Sequence, residues 1–250
     1  MSRGVGEFEV VQGAIPESLA LVVALLTQLG DIWFVSLLLI VAFARFERDR
    51  IATVAGLAIG AVALVFTAKY VFALPRPDQP LVALGTLPAV LQPVYEATGY
   101  ASGYGFPSGH ATVTTVVYLA LAEVLPAGSR RGRYAAAVGL IALVSLSRVA
   151  LGLHFLVDVV AGIALGLAFL LVARRLLARY RSTDRRRTVA IGLGVALAGV
   201  SVLASGGVLE PLLLFAVSIG AFSLSWLTGG SRAPPSRVLR SRSWWTAAPR

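Results

Sequence analysis

Residues 51–77 read IATVAGLAIGAVALVFTAKYVFALPRP. No residue from Ile51 to Ala68 is charged. The apolar run 51–74 is long enough to cross a bilayer core of about 30 Å as a helix. Its one charge, Lys69, stands near the far end, and the run stops at Pro75-Arg76-Pro77. The two prolines bar a continuing helix and fix the Arg76 backbone. Lys69 and Arg76 are seven positions apart. Two helical turns predict that both lie on one face. A charge at a span centre costs about 2.5–3.5 kcal/mol, less near the interface, where lysine snorkels. Snorkelling explains Lys69 alone. Two cations in a rigid proline frame ask for an anion.

Similar spans recur along the chain. Candidates are 19–44, 51–74, 108–125, 133–150, 154–177, 188–205 and 209–227. Gln28, Gly30 and Asp31 interrupt the first. It is either one span or an interfacial helix over about 16–29 followed by a short span over about 31–46. The composition agrees: 250 residues, 57% hydrophobic, 14% charged, mean hydropathy +0.82. Soluble domains run near 25% charged, and disorder needs low hydrophobicity. The expected fold is all-α, an integral membrane bundle of six to seven transmembrane helices, with no internal repeat. The absence of cysteine excludes disulfides and thiolate chemistry. Near the N-terminus Arg3 is outnumbered by Glu7, Glu9 and Glu17, and no cleavage site follows. The start therefore reads as retained.

The charge balance is +10, from 22 basic and 12 acidic residues. Loop 45–50 holds Arg45, Arg48 and Arg50; loop 126–133 holds Arg130, Arg131 and Arg133. Residues 174–187 hold seven arginines and the tail holds five. If the spans alternate, these 18 arginines share one face. The positive-inside rule makes it cytoplasmic. The runs lack interleaved aromatics and adjoin spans, so they read as topology and contact with anionic membrane lipids, with no nucleic-acid partner. The basic remainder is Arg3, Lys69, Arg76 and Arg148. The N-terminus then lies outside and the C-terminus in the cytoplasm of a cell-membrane protein.

Five regions follow: an external segment 1–18, a core 19–177 with the outer loop 75–107, a basic loop 178–187, two further spans over 188–227, and a disordered basic tail 228–250. Trp244-Trp245 in the tail suits a bilayer surface. A loop as long as 75–107 in a compact protein is usually functional or disordered, with a mere connector as the plain alternative. Residues 88–96 within it suggest a short amphipathic helix. Tyr95, Tyr100, Tyr104 and Phe106 suit the membrane interface.

Two more clusters join Lys69 and Arg76. The third span opens Phe106-Pro107-Ser108-Gly109-His110. Pro, Ser and Gly suit a helix N-terminus, whose free N–H groups bind anions. A merely capped helix with an incidental histidine is the plain alternative. Between the fourth and fifth spans the chain reads Ser147-Arg148-Val-Ala-Leu-Gly-Leu-His154-Phe-Leu-Val-Asp158. His154 and Asp158 are spaced to hydrogen-bond on one helix face. A carboxylate on one imidazole nitrogen fixes the tautomer and makes the other a better nucleophile or base. A structural polar pair between helices is the alternative. By the span count all three clusters lie outside. Two histidines and a carboxylate suit a metal. Lys69, Arg76 and Arg148, however, repel a divalent cation and attract an oxyanion. The physical reading is metal-free phosphoryl transfer with no cofactor.

These residues resemble the type 2 phosphatidic acid phosphatase (PAP2) superfamily, whose signature is K-x6-R-P, P-S-G-H and S-R-x5-H-x3-D. Every specified position matches: Lys69, Arg76, Pro77; Pro107, Ser108, Gly109, His110; Ser147, Arg148, His154, Asp158. The resemblance covers roughly residues 19–177. It implies a helical core shared with the vanadium haloperoxidases, whose soluble branch the many spans argue against. It implies that His154 attacks phosphorus, that Asp158 orients it, and that His110 protonates the leaving oxygen and then activates water. Lys69, Arg76, Arg148, Ser108 and the Gly109 N–H would hold the phosphate. The family's common core has six spans, so a seventh is a departure.

The expected activity is hydrolysis of a lipid phosphate or diphosphate at the outer face. Polyprenyl diphosphate, phosphatidylglycerol phosphate and phosphatidic acid all fit, with a slight preference for the first. Phosphoryl or headgroup transfer to another acceptor would use the same site. A non-catalytic lipid-phosphate binder or transporter is the other class. Oligomeric state and the role of the last two spans are not readable from the sequence.

Overall fold

The computed structural model describes residues 3–229. The expectations for the tail, including Trp244-Trp245, fall outside them. Ten α-helices follow in order among the described residues: α1 (Glu7–Gly13), α2 (Ala20–Thr27), α3 (Ile32–Arg45), α4 (Arg48–Phe72), α5 (Gln92–Gly99), α6 (Gly109–Val124), α7 (Arg130–Ala150), α8 (Leu156–Ala178), α9 (Thr183–Ser205) and α10 (Leu209–Gly229). The bundle is all-α, as the spacing of apolar runs predicts.

Five helices (α4, α7, α8, α9 and α10) have the length and hydropathy to cross a membrane. α3 and α6 are apolar but shorter, at 14 and 16 residues. At 1.5 Å per residue they reach only about 21–24 Å. The seven candidate spans thus correspond to five long helices and these two short ones. The first candidate span is broken. A 3₁₀ turn, Gln28–Gly30, separates α2 from α3, and Asp31 caps α3. The run 19–44 is thus two helices and not one continuous span.

Many large apolar side chains face outward, among them Leu167, Val172, Leu203 and Leu213. In water that would be a liability; against lipid tails it is the normal arrangement. Close helix approach relies on small residues. A Cβ on Gly56 of α4 would lie 2.7 Å from the Ala190 carbonyl carbon of α9. A Cβ on Gly162 of α8 would lie 2.6 Å from the Ser108 carbonyl oxygen. The core formed between α3, α4, α6, α8 and α9 includes Leu57, Val116, Val117 and Ala173.

Several arginines read as loop residues lie on helix ends. Arg130, Arg131 and Arg133 begin α7, and Arg174 and Arg175 end α8. Helices continue past the apolar zone because the long side chains keep their charges in water while their stems cover apolar surface. One arginine of the basic run is structural. Arg187 is buried and donates to Asp49 (2.6 Å), Asp184 (2.5 Å) and the Ser225 hydroxyl (3.0 Å). It ties α4, α9 and α10 together.

The short helix in the long loop is Gln92–Gly99, later than the expected 88–96. Pro93 sits in its first turn, where its missing N–H costs no bond. At the opposite end of the bundle from the arginine-rich helix ends, the N-terminal arm meets this loop. Gln12 donates to the carbonyls of Gln79 and Ala150 at 2.9 and 3.1 Å.

Candidate active site

α4 ends at Phe72, not at Pro75. Ala73 adopts a left-handed conformation (φ 48) and its N–H closes on the Lys69 carbonyl at 2.8 Å. Lys69 is thus in the last helical turn, while Arg76 lies beyond the helix. The expected shared helix face does not exist, because the proline frame ends the helix before reaching Arg76. The cations converge by a different route. Gly105 N–H bonds to the Leu74 carbonyl (2.8 Å), folding the end of the long loop onto the segment after α4. Arg76 then donates to the carbonyls of Ser102 (3.1 Å) and Leu153 (2.9 Å).

Arg76 Nη1 also lies 3.2 Å from His154 Nε2. A guanidinium has donors only, so Nε2 is the acceptor and the imidazole proton sits on Nδ1. His154 is in the turn before α8, whose first residue is Leu156, and not on the helix itself. This turn depends on Gly152, which has φ +68 and would place a Cβ 1.9 Å from the Gln79 carbonyl oxygen. Glycine alone fits there. Burial pushes the His154 imidazole well below the usual histidine range, and Arg148, Arg76 and Lys69 push it further, against a small opposing pull from the Gly105 backbone. His154 is therefore neutral at neutral pH, with its lone pair on Nε2.

Asp158 lies 3.7 Å from His154 Nδ1, through Oδ2. The expected hydrogen bond on one helix face is not made. His154 precedes the helix, and the carboxylate has other partners. Oδ2 accepts from Phe155 N–H at 3.0 Å, capping α8. Arg3 donates to Oδ1 at 3.2 Å and to Oδ2 at 3.3 Å. Its Nη2 also reaches the Pro75 carbonyl (2.8 Å), and its guanidinium lies 4.9 Å from the Phe155 ring centre. Sequence spacing gave no sign of Arg3 here, although it was the fourth basic residue away from the arginine-rich face.

The Pro-Ser-Gly-His segment opens α6 as expected. Ser108 is the N-cap, and its Oγ accepts from Ala111 N–H at 3.5 Å. The side chain is fully buried, and as a cap acceptor the hydroxyl still has its own proton to donate. Ser108 N–H bonds to the Asp158 carbonyl at 2.9 Å, which fixes α6 against α8. His110 in the first turn sits in the field of Arg148, His154, Lys69 and Arg76. Arg148 is buried near the end of α7; Nη1 donates to Thr27 Oγ1 at 3.3 Å, and Nε has no hydrogen-bond partner. A buried guanidinium with a free donor, beside Lys69 and Arg76, is arranged to receive an oxyanion. The fold thus brings Lys69, Arg76, His110, Arg148, His154 and Asp158 to one place, with Gly109 beside His110.

An acid outside the expected set also reaches the site. Asp31 Oδ2 is 3.7 Å from His110 Nε2. It comes from the break in the first span, where the sequence showed only an interruption.

The model of the PAP2 superfamily matches residues 50–182, more than half of the chain. Among solved structures, Aquifex aeolicus LpxE superposes with a TM-score of 0.53 at 20% identity, over 69% of this chain and 94% of its own. The PAP2-type phosphatidylglycerolphosphate phosphatase of Bacillus subtilis superposes with a TM-score of 0.52 at 26% identity, over 69% of this chain and 85% of its own. Among curated proteins, none matches significantly. Taken with the geometry, the chain belongs to the PAP2 superfamily, as a membrane-embedded phosphatase.

Proposed function

We propose that the protein hydrolyses a lipid phosphate or diphosphate at the outer membrane face, through a phosphohistidine on His154 and without a metal. The observation that carries this reading is the Arg76–His154 contact of 3.2 Å. It leaves a neutral imidazole with its lone pair on Nε2, held among cations. An incoming phosphate takes over the Arg76 donor and the free Arg148 donor. Lys69 adds a third charge. Gly109 and the start of α6 offer backbone N–H groups to a phosphate oxygen.

Attack by Nε2 forms the N–P bond and breaks the bond from phosphorus to the lipid oxygen. That oxygen takes a proton from His110. The Nδ1 proton of the now cationic His154 faces Asp158, which supports the charge. Water then attacks phosphorus and gives its proton to His110. The N–P bond breaks, inorganic phosphate leaves, and both histidines return to their starting forms. The cations lower the barrier by neutralising charge that develops on the phosphoryl oxygens.

The excess of local positive charge disfavours a divalent ion. The arginine-rich helix ends, opposite the site, support an outward-facing pocket under the positive-inside rule. Phosphatidylglycerol phosphate, phosphatidic acid and polyprenyl diphosphate are the substrates to compare. The test is phosphate release by the purified protein from each lipid in mixed micelles containing EDTA. Release from at least one supports the proposal. Release from none, or release that needs an added metal, contradicts it.

A further inference from the structure

His110 has a demanding task. As the acid it must carry a proton, yet Lys69, Arg76, Arg148 and His154 all face it. Three positive side chains crowd this imidazole. A nearby carboxylate would offset them. Asp158 is engaged elsewhere, by Arg3 and Phe155. Asp31 is the carboxylate at His110, with Oδ2 3.7 Å from Nε2.

The placement of Asp31 is built, not incidental. Gly30 lies hard against the site: a Cβ there would meet Val144 at 2.6 Å and His110 and Thr114 at 3.0 Å. The Tyr118 hydroxyl donates to the Leu29 carbonyl. Gln28 accepts from the Trp33 indole at 2.9 Å. Thr27 accepts from Arg148. Each residue from Thr27 to Gly30 is thus tied down by a bond or a close contact. Capping of α3 uses only Asp31 Oδ1, which accepts from Trp33 N–H at 3.3 Å. Asn or Ser would cap equally well. The cap therefore accounts for one oxygen and leaves Oδ2 facing the histidine.

We infer that Asp31 is a positioning residue for His110, and that the broken first helix exists to deliver it. This rests on the proposed hydrolase reading. Asp31 offsets the surrounding cations so that the His110 imidazole holds a proton for the leaving oxygen. It neither gains nor loses a proton itself. His110 gives its proton to the lipid oxygen as the P–O bond breaks, and recovers one from the attacking water.

The test compares two phosphate monoesters in mixed micelles. One is the ester of a long-chain alcohol, whose oxygen must be protonated to leave. The other is the ester of a nitrophenol carrying an octyl chain, whose oxygen leaves as a stable anion. Asp31→Asn and Asp31→Ser both keep the helix cap. The inference predicts that each lowers kcat on the alkyl ester on the order of ten- to hundredfold, the usual worth of general acid assistance being 10²–10⁴. On the nitrophenyl ester it predicts a change under about threefold, with KM little altered on either ester. An equal loss on both esters would make Asp31 merely structural and overturn the inference. So would full activity of both variants on both esters. If the unaltered protein releases phosphate from neither ester, the hydrolase reading fails and takes the inference with it. Activity of the parent with insensitive variants removes the inference alone.

Discussion

Arg3 closes on Asp158 from 155 positions away, with Nε 3.2 Å from Oδ1 and Nη2 3.3 Å from Oδ2. Asp158 is fully buried, and Arg3 is its charged partner. The arm that carries Arg3 is pinned by Glu7, whose carboxylate accepts from Leu156 N–H at 3.0 Å, and by Phe8 against Phe155. The N-terminal segment is therefore part of the site wall. In the proposed mechanism, Arg3 would hold Asp158 in the orientation from which it meets His154 once that histidine becomes charged.

Arg3→Ala is expected to lower kcat roughly ten- to hundredfold, since a charged hydrogen bond contributes about 1.5–3 kcal/mol and 1.4 kcal/mol is tenfold. KM should change little, because Arg3 contacts the carboxylate and not the phosphate. Steady-state kinetics on any accepted lipid phosphate checks this. An unchanged kcat would remove Arg3 from the machinery.

The motif residues were legible because each cluster is short in sequence and carries its own spacing, although the contact that joins two of them, Arg76 to His154, crosses 78 positions. Ser108 caps α6 as Pro-Ser-Gly-His predicts, and Arg148 and His154 flank one tight turn. Arg3 and Asp31 were not legible. Their contacts cross 155 and 79 positions and depend on how the N-terminal arm and the broken first helix pack. The break at Gln28–Asp31 was visible as an interruption, but its use was not. The Lys69–Arg76 helix face was misread because the chain leaves the helix at Ala73, before the prolines. Pro93 likewise belongs at the start of α5, which shifts that helix toward Gly99.

The charge state of His154 is open to direct observation. Burial and three cations hold it well below the usual 6.5, so the neutral form persists through pH 7 and below. Carbon-13 NMR of histidine-labelled His110→Ala protein should show one imidazole that stays neutral, with its proton on Nδ1, from pH 8 down to 6. A midpoint at or above 6.5 would contradict the described site.

Gly152→Ala should be severe. The position needs φ +68, and the new Cβ would meet a backbone oxygen at 1.9 Å. Left-handed backbone alone costs of order 1–3 kcal/mol for a non-glycine residue, and the clash adds to it. Thermal unfolding in detergent should fall, and activity should fall with it, because the same turn carries His154. Parent-like stability and turnover would show that the turn relaxes without cost.

Arg187→Ala separates scaffold from chemistry. It removes one buried cation from Asp49 and Asp184, which are part exposed. Breaking a buried pair costs about 3–5 kcal/mol, and partial exposure of the acids places this case near the low end. Folded protein should keep its kcat while losing thermal stability. A selective loss of kcat would mean that the arginine-rich end communicates with the site.

The phosphoenzyme of the proposed mechanism can be trapped by an alkaline detergent quench. Purified protein is mixed with lipid labelled in its phosphate, stopped within milliseconds, and the phosphorylated residue identified. Nucleophilic attack by His154 predicts a phosphoramidate on that residue, stable in alkali and labile in acid, and no label in His154→Ala, which should also lose turnover. Label on another residue, or His154→Ala with full phosphate release, would contradict it.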